Sequence, residues 1–372
     1  MRVGIVTPRY PPHFAGGGEA STELLAEQLH GADRVDEVVV FSFDGSTTET
    51  RNGIEVRRLH ELSPTVTEVQ NVRAYRLLSP HVDGFDVLHA YNMELHPTVG
   101  ALSTRRSPAT VATLNSYHFL PKSVSNTTPG PVERLYELVG HPTTGRVMTR
   151  LMNRIDAFVA ISSAVRDIYG DHGVDRDRIE VIPNMVDPSF SPPETEDGEG
   201  TTVLYVGELS DRKGVSDLVR AVGSLPGTYD LRVVGDGPLS GDLRRLARDI
   251  GVRDRVTFTG RVDYDRIPEQ YALADVFVHP GVWPEPFGRT VLEAMQTGLP
   301  VVCTDVGGPA DVVRDPELRV PARDPDALAA AIDGAATDRE GVGERNRRYV
   351  AEEFSPGSVA SRIVDLYEGV VR

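Results

Sequence analysis

Short apolar segments typical of buried strands alternate with amphipathic segments along the chain, and this alternation constrains the fold more than any other feature. In the first half the strand-like segments are residues 3–7, 36–42, 54–57, 87–90, 109–114 and 157–161. In the second half a strand-like segment at 203–206 precedes predicted helices at 216–224, 239–250, 289–297 and 326–336. Helices between consecutive strands favour parallel sheets, so the pattern predicts an α/β fold.

The alternation is interrupted once, between residues 184 and 200. This stretch has no hydrophobic periodicity, and it contains Ser191-Pro-Pro193 followed by the acidic run Glu194-Thr-Glu-Asp-Gly-Glu199. Proline-rich and acidic sequence between two strand-like segments is typical of a domain linker. A length of 372 residues also suits two domains better than one.

Charge, hydropathy and cysteine content argue against several classes of protein. The formal net charge of −16 argues against nucleic acid as a partner. No run approaches the roughly 18 apolar residues that a membrane span needs, and Met1-Arg-Val-Gly-Ile-Val reads as a strand rather than a signal sequence. The one cysteine, Cys303, excludes an internal disulfide. We therefore expect a cytoplasmic protein.

Lysine is almost absent. The chain has 39 basic residues, of which only Lys122 and Lys213 are lysines. An acidic, lysine-poor surface fits a salt-loving host, because carboxylates stay hydrated while lysine stems expose apolar area. A GC-rich genome, which favours arginine over lysine, is the alternative explanation.

Two glutamates mark the most informative motif, Trp283-Pro-Glu285-Pro-Phe-Gly-Arg-Thr-Val-Leu-Glu293. They lie eight residues apart around a Gly-Arg-Thr step that should begin a helix, which separates them by ~12 Å. That distance suits a nucleotide-sugar held at both ends, with hexose hydroxyls on Glu285 and ribose hydroxyls on Glu293. The diphosphate would lie at the helix N-terminus, which favours anions. The alternative is a loop glutamate and an unrelated solvent-facing helix glutamate.

Several further motifs follow one another in a recognisable order. They are Val206-Gly207 leading to Lys213-Gly214, then Val234-Gly-Asp-Gly-Pro238, Val256-Thr-Phe-Thr-Gly260-Arg261-Val262, Ala274-Asp-Val-Phe-Val-His-Pro280 and Gly307-Gly308. With the glutamate pair, this series resembles the retaining GT-B glycosyltransferases of the E-x7-E type, also called group 1 or family 4. The first half is similar more loosely, through Tyr10-Pro-Pro12, Gly16-Gly-Gly18 and Ile182-Pro-Asn184.

The resemblance implies two Rossmann-like domains that face each other across a cleft, with a C-terminal helix that crosses back to the first domain. The expected acceptor-binding domain comprises residues 1–183 plus 357–372. The linker covers 184–200, and the nucleotide-sugar-binding domain covers 201–356.

Lys213 is the strongest basic candidate in the second half. It follows a strand, so it is expected at the carboxyl edge of a sheet, where its ammonium could neutralise the charge that develops on a leaving diphosphate. Gly17 and Gly18 are expected in a loop after the first strand, where backbone N–H groups can approach a ligand closely. The alternatives are a solvated surface lysine and a merely flexible turn.

The resemblance implies further donor contacts. The backbone amides of Gly288 and Arg289 would assist Lys213, Phe287 and Arg212 would lie beside the donor, and Arg261 and Val262 would flank the nucleobase. Histidines are scattered, and no spacing resembles a metal cage, so neither a metal nor a cofactor is expected. A UDP- or GDP-sugar would be a substrate rather than a cofactor.

Two positions depart from the family pattern. Glu208 stands where the family usually has an arginine that contacts the donor phosphates, and a carboxylate there repels them unless it turns away. Asn115 stands where the family commonly has a histidine near the donor sugar, and His118 is a candidate substitute.

The expected function is therefore transfer of a hexose-type sugar from a nucleotide-sugar to a hydroxyl of a glycan, a lipid-linked acceptor or a small molecule. The alternatives are a catalytically impaired sugar-nucleotide-binding subunit, favoured by Glu208 and Asn115, and a phosphorylase or epimerase on the same fold. The mixture of arginines and apolar residues in segment 119–154 suits either peripheral contact with the inner face of a membrane or ordinary packing. The sequence leaves the oligomeric state open.

Overall fold

The computed structural model describes residues 1–13, 17–62, 67–103, 108–121, 124, 144–193 and 200–371. The chain divides into two compact α/β units. The first comprises Met1–Met185 with Pro356–Arg372, and the second comprises Val186–Ser355.

An eight-stranded sheet forms the centre of the first unit. Its strands are β1 (Arg2–Thr7), β2 (Glu37–Ser42), β3 (Thr48–Arg51), β4 (Ile54–Arg58), β5 (Val87–Ala90), β6 (Ala109–Leu114), β7 (Ala157–Ala160) and β8 (Ile179–Val181). They lie in the order β3-β4-β2-β1-β5-β6-β7-β8. All neighbours are parallel except β3 and β4, which form an antiparallel pair at one edge.

Helices connect these strands. They are α1 (Gly17–His30), α2 (Thr67–Leu78), α3 (His96–Leu102), α4 (Arg146–Met152) and α5 (Ser163–Asp171). The central strands β1 and β5 are buried along almost their whole length, as expected for a parallel sheet covered on both faces.

The second unit contains a six-stranded, fully parallel sheet. Its strands are β9 (Thr201–Val206), β10 (Tyr229–Val234), β11 (Val256–Gly260), β12 (Val276–His279), β13 (Val301–Thr304) and β14 (Arg319–Val320), in the order β11-β10-β9-β12-β13-β14. The order reverses direction at β9 and β12. Such a switch point is where open α/β sheets place ligands, beyond the carboxyl ends of the strands.

Seven helices accompany this second sheet in the described part of the chain. They are α6 (Val215–Ser224), α7 (Ser240–Asp249), α8 (Ile267–Ala272), α9 (Arg289–Thr297), α10 (Gly308–Val312), α11 (Pro325–Thr337) and α12 (Arg339–Glu353).

The final helix, α13 (Pro356–Val370), belongs to the first unit and packs against α1 and β6. Its apolar side contributes Val359, Ile363, Val364 and Tyr367 to the core around β1. The hydroxyl of Tyr367 lies 2.6 Å from Nδ1 of the fully buried His89 on β5, and Thr113 Oγ1 lies 2.7 Å from Nε2 of that histidine. This buried polar contact ties the end of the chain to the first sheet.

The structure confirms the α/β class and the two Rossmann-like sheets, and it differs from the sequence predictions in detail. A loop follows β1 as predicted, but Gly17 and Gly18 lie in the first turn of α1, so the prediction that the loop extends through Gly18 is wrong. Gly16 and the acidic run at 194–199 lie outside the described residues. Strands β3 and β8 of the first sheet and β14 of the second were not predicted. None of the helices in the described ranges is long and apolar enough to cross a membrane.

Candidate functional site

The carboxyl ends of β9 and β12 bring together residues that are far apart in sequence. These strands are neighbours in the second sheet. The loop after β9 carries Lys213, β12 ends at His279, and the loop after β12 carries Glu285. Because parallel strands direct their carboxyl ends to one edge, the three side chains meet at that edge.

Glu285 is the centre of this cluster. Its Oε2 atom accepts a hydrogen bond from Lys213 Nζ at 2.5 Å and another from His279 Nε2 at 3.0 Å. The Glu285 side chain is only 18% exposed. Burial raises the pKa of Glu285, but the hydrogen bonds and charges of His279 and Lys213 outweigh it and hold the pKa well below its ordinary value. The carboxylate is therefore ionised near neutral pH.

Backbone contacts hold the loop after β12 against the loop after β9 and against the segment after β13. Gly214 has a φ of 65°, and a Cβ atom there would lie 1.9 Å from the carbonyl oxygen of Pro280. The Val282 N–H donates to the Arg212 carbonyl at 2.9 Å, and the Gly308 N–H donates to the Glu285 carbonyl at 2.7 Å. Only glycine permits so close an approach after Lys213.

Glu293 lies on α9 and is 7% exposed. Tyr271 donates from its hydroxyl to Glu293 Oε2 at 3.0 Å, while the Tyr264 hydroxyl and Arg289 Nε each lie 3.5 Å from Oε1. Burial raises the pKa of Glu293 despite the nearby Arg289 charge. Glu293 is thus a buried, hydrogen-bonded carboxylate rather than a solvent-facing one.

The segment between the two glutamates begins a helix, as predicted. Gly288 precedes α9 with a φ of 88°, and Arg289 is its first residue. Phe287 is buried, with its ring 6.3 Å from that of Phe354. Phe287 therefore contributes to the core beneath the helix start.

Glu208 is directed toward a basic partner. Its Oε2 accepts from Arg212 Nη2 at 2.9 Å and from Ser210 Oγ at 3.1 Å, which lowers the pKa of Glu208. The Arg212 guanidinium lies 4.9 Å from the ring centre of Trp283. The negative charge of Glu208 is therefore balanced by the guanidinium of Arg212.

Arg261 and Val262 follow β11, with Arg261 exposed and Val262 half-buried. Tyr264, two residues further on, reaches Glu293, and the Arg289 guanidinium lies 6.0 Å from its ring. This segment and the buried end of the glutamate motif are therefore close together.

In the first unit, the predicted residues divide into two groups. Asn115 Nδ2 donates to the Tyr91 carbonyl and to Asn92 Oδ1, both at 3.1 Å. Asn92 donates in turn to Thr7 Oγ1 at 2.9 Å, and a Cβ atom on Gly18 would lie 3.0 Å from Asn92 Oδ1. Gly18 and Asn115 therefore share the carboxyl edge of the first sheet.

His118 is placed differently. It is exposed, its Nε2 lies 3.5 Å from Thr67 Oγ1 at the start of α2, and its ring packs edge-on against Phe119. These contacts give it surroundings distinct from those of Asn115.

Sequence reasoning missed His279, Tyr271, Tyr264 and Asn92. His279 could have been suspected, because it ends an apolar strand directly before Pro280 and the glutamate motif. The two tyrosines carry no local signal, since their contact with Glu293 depends on tertiary packing. Among the described residues, no group of three or more His, Cys, Asp or Glu side chains is arranged to hold a metal ion.

Comparison with known families matches this architecture unit by unit. Residues 187–352 match the model for glycosyl transferases group 1, and residues 15–190 match the model for glycosyltransferase family 4. Together the two models cover residues 15–352, and both describe glycosyltransferases. The chain is a glycosyltransferase. The E-x7-E segment lies inside the first of these matches.

Proteins with similar sequences are also named as glycosyltransferases. An uncharacterized glycosyltransferase of Methanocaldococcus jannaschii is 26% identical over 99% of this chain and 98% of its own length. A GDP-mannose-dependent alpha-(1-6)-phosphatidylinositol monomannoside mannosyltransferase of Mycobacterium tuberculosis is 31% identical over 61% of this chain and 66% of its own length.

Solved structures share the fold. Anabaena HepE, in complex with UDP and glucose, has a TM-score of 0.73 and 19% identity, and the match covers 99% of this chain and 100% of that chain. The sucrose-phosphate synthase of Thermosynechococcus elongatus has a TM-score of 0.74 and 22% identity, with 99% and 98% covered.

Proposed function

We propose that this glycosyltransferase moves a hexose from a nucleotide-sugar to an acceptor hydroxyl with retention of anomeric configuration. The observation that carries the proposal is the cluster of Lys213, His279 and Glu285 at the switch point of the second sheet. Glu285 lies eight residues before the buried Glu293. A cation, an oriented carboxylate and a helix start on one side of a sheet suit a diphosphate joined to a sugar.

Each group has a distinct role in the proposal. Glu285 is ionised and held through Oε2, so its other oxygen can accept from hexose hydroxyls. Lys213 stabilises the charge that develops on the diphosphate, assisted by the backbone amides of Gly288 and Arg289. Glu293 accepts from the ribose hydroxyls, and Arg261 and Val262 flank the base.

The chemical step breaks the bond between the anomeric carbon and the phosphate oxygen, and it forms a bond from that carbon to the acceptor oxygen. The acceptor oxygen attacks the anomeric carbon on the face from which the phosphate leaves, and this same-face attack gives retention. The acceptor proton passes to the leaving phosphate. Products are the glycoside and a nucleoside diphosphate. Charge stabilisation by Lys213 and the helix dipole does the work that a metal ion does elsewhere, so the proposal includes neither metal nor cofactor.

We propose that the first unit binds the acceptor at the carboxyl edge of its sheet, where Asn115, Asn92 and the backbone of Gly18 lie together. The acceptor class is a glycan or a lipid-linked sugar. This proposal draws support from two relatives, one named a phosphatidylinositol monomannoside mannosyltransferase and the other a glycosyltransferase of lipopolysaccharide core biosynthesis.

Both uridine and guanosine diphosphate sugars are candidates, since one relative is GDP-mannose-dependent and one structural neighbour binds UDP. A panel of nucleotide-sugars should be screened for the one that raises the melting temperature, because a ligand that binds the folded state stabilises it. Turnover of that donor should then be followed with and without acceptor glycans, and product anomers assigned by NMR. Binding without hydrolysis or transfer would indicate a catalytically impaired subunit, and an inverted product would refute retention.

A further inference from the structure

Exposed apolar side chains are concentrated on one part of the first unit. Seven large hydrophobic residues are exposed among those the structure describes, and four of them lie on α2 and α4. They are Val69, Val72, Tyr75 and Val147, with exposures of 40%, 50%, 40% and 49%. Single exposed hydrophobic residues are ordinary, but a cluster marks an interaction surface.

The two helices form a continuous surface. Both pack against α3, and Thr144, in the turn that leads into α4, donates from its hydroxyl to Glu68 Oε1 at 2.6 Å. Val72 lies four residues after Glu68, and Val147 lies three residues after Thr144. Residues three or four apart share a helix face. Val72 therefore lies on the same side of α2 as Glu68, and Val147 lies on the same side of its segment as Thr144, so the Thr144–Glu68 hydrogen bond brings the two sides together.

The same helices carry an excess of positive charge. Their exposed arginines are Arg73, Arg76, Arg146 and Arg150. Within the described part of the chain, none of these four has an ion-pair partner. The protein as a whole is strongly acidic, with a net charge of −16. Four unpaired arginines beside exposed valines therefore form a local exception to the charge of the whole molecule.

We propose that the exposed face of α2 and α4 docks on a bilayer that contains anionic lipids. Arginines attract the negative surface of such a bilayer, and the valines and Tyr75 enter its interfacial layer. An acidic protein would otherwise be repelled by that surface, which explains why the basic residues are grouped where the apolar ones are exposed. The inference goes beyond sugar transfer and does not depend on it.

Vesicle binding tests the proposal with the full chain and no donor or acceptor present. Wild-type protein should co-sediment with vesicles of phosphatidylcholine and phosphatidylglycerol much more than with phosphatidylcholine alone. The double variant Arg73→Glu/Arg76→Glu should weaken that binding at least about tenfold, since it replaces two attractive charges with two that an anionic surface repels. Val72→Asp/Val147→Asp should weaken it as well.

Matched controls come from the second unit. Ile250 and Leu273 are exposed apolar residues, and Arg248 and Arg253 are exposed arginines. Ile250→Asp/Leu273→Asp and Arg248→Glu/Arg253→Glu should leave vesicle binding unchanged. Equal weakening by these controls, or wild-type binding by the α2 and α4 variants, would overturn the proposal.

Two further readouts keep the result unambiguous. Melting temperatures of all variants should stay close to that of the wild type. A lower melting temperature of Val72→Asp/Val147→Asp with unchanged vesicle binding would mean that the valines pack against this same chain, and would also overturn the proposal. Hydrolysis of the nucleotide-sugar in vesicle-free buffer should be equal in wild type and variants, so failure of docking is distinguishable from failure of the proposed function.

Discussion

Glu285 Oε2 lies 3.0 Å from Nε2 of His279, and this hydrogen bond joins the last residue of β12 to the motif that follows it. His279 is 3% exposed. A buried imidazole that donates to a carboxylate fixes its direction, so His279 is expected to position Glu285 for the hexose.

Replacing His279 should therefore lower kcat. Loss of a hydrogen bond to a charged group costs about 1.5–3 kcal/mol, so His279→Ala should reduce kcat roughly ten- to a hundredfold. His279→Gln keeps an N–H donor and should recover part of the loss. Affinity for the nucleoside diphosphate should not change, because that ligand lacks the hexose. Steady-state kinetics with calorimetric titration checks both; unchanged kcat in His279→Ala would remove the histidine from this role.

Variants of Glu285 and Glu293 should differ in which ligand they bind less tightly. Glu293→Gln should weaken nucleoside diphosphate and nucleotide-sugar binding alike, by about 1.5–3 kcal/mol, because both ligands contain ribose. Glu285→Ala should leave nucleoside diphosphate binding nearly intact while strongly lowering turnover. Calorimetric titration of both variants with both ligands is the measurement. A parallel loss of diphosphate affinity in both variants would contradict the division of roles.

Lys213 should be needed for turnover more than for folding. Its ammonium pairs with Glu285 at 2.5 Å, so Lys213→Ala removes a cation from the diphosphate and a partner from the sugar carboxylate. We expect a loss of ~3 kcal/mol in transition-state stabilisation, about a hundredfold or more in rate. Lys213→Arg keeps the charge but has a planar fork, and it should recover only part of the rate.

A control for Lys213 is available on the helix that follows it. Arg220 on α6 is half-exposed and paired with Asp217, so Arg220→Ala should keep normal kinetics. Near-normal turnover in Lys213→Ala would show that the lysine serves only the ion pair with Glu285.

Much of the second unit could be predicted from sequence because its signals are local. The helix at Arg289–Thr297 was predicted with its observed bounds, since a glycine precedes it and its apolar residues repeat with helical period. Lys213 and Glu285 were both singled out, yet their contact joins residues 72 apart in sequence. Which loops meet depends on strand order, and the strand order is not written in any single segment.

Two of the predictions that failed in the first unit concern a strand and the start of a helix. Strand β3 (Thr48–Arg51) is polar and half-exposed, and pairing with β4 at the sheet edge holds it extended, so its sequence lacks the apolar pattern of a buried strand. Gly17 and Gly18 were predicted at the end of the loop before α1, but both lie in its first turn, where Thr22 Oγ1 donates to the Gly18 carbonyl at 2.7 Å. Glycine has a low helix propensity, so the sequence gives little local signal for a helix start there.

Salt dependence should distinguish the two explanations of the composition. With 55 acidic and 39 basic residues, repulsion is screened as ionic strength rises. A salt-loving protein should gain melting temperature and activity in molar potassium chloride. A thermal melt that stays flat or falls between low and molar salt would favour the GC-rich genome instead, and an uncharged osmolyte serves as the control for solvent effects other than screening.

His89 should make the fold sensitive to mild acid. Burial lowers its pKa to about 3, and burial likewise lowers the pKa of His96 to about 3. An unfolded histidine has a pKa near 6.5, so below that pH the unfolded state binds protons that the folded state does not. Stability is therefore fully present above about pH 6.5 and is lost progressively as the pH falls toward 3.

The window between pH 6.5 and 5 is best suited to the histidines, because carboxylates with ordinary pKa values titrate at lower pH. There the free energy of unfolding should fall by up to about 1.4 kcal/mol per pH unit for each proton taken up on unfolding. His89→Gln can keep partners for Tyr367 and Thr113 but does not titrate, so it should reduce the slope by about one proton. Urea unfolding at several pH values measures this slope, and His172→Gln, at an exposed position, is the matched control. Equal slopes in wild type and His89→Gln would mean that the buried histidine is not the source of the acid sensitivity.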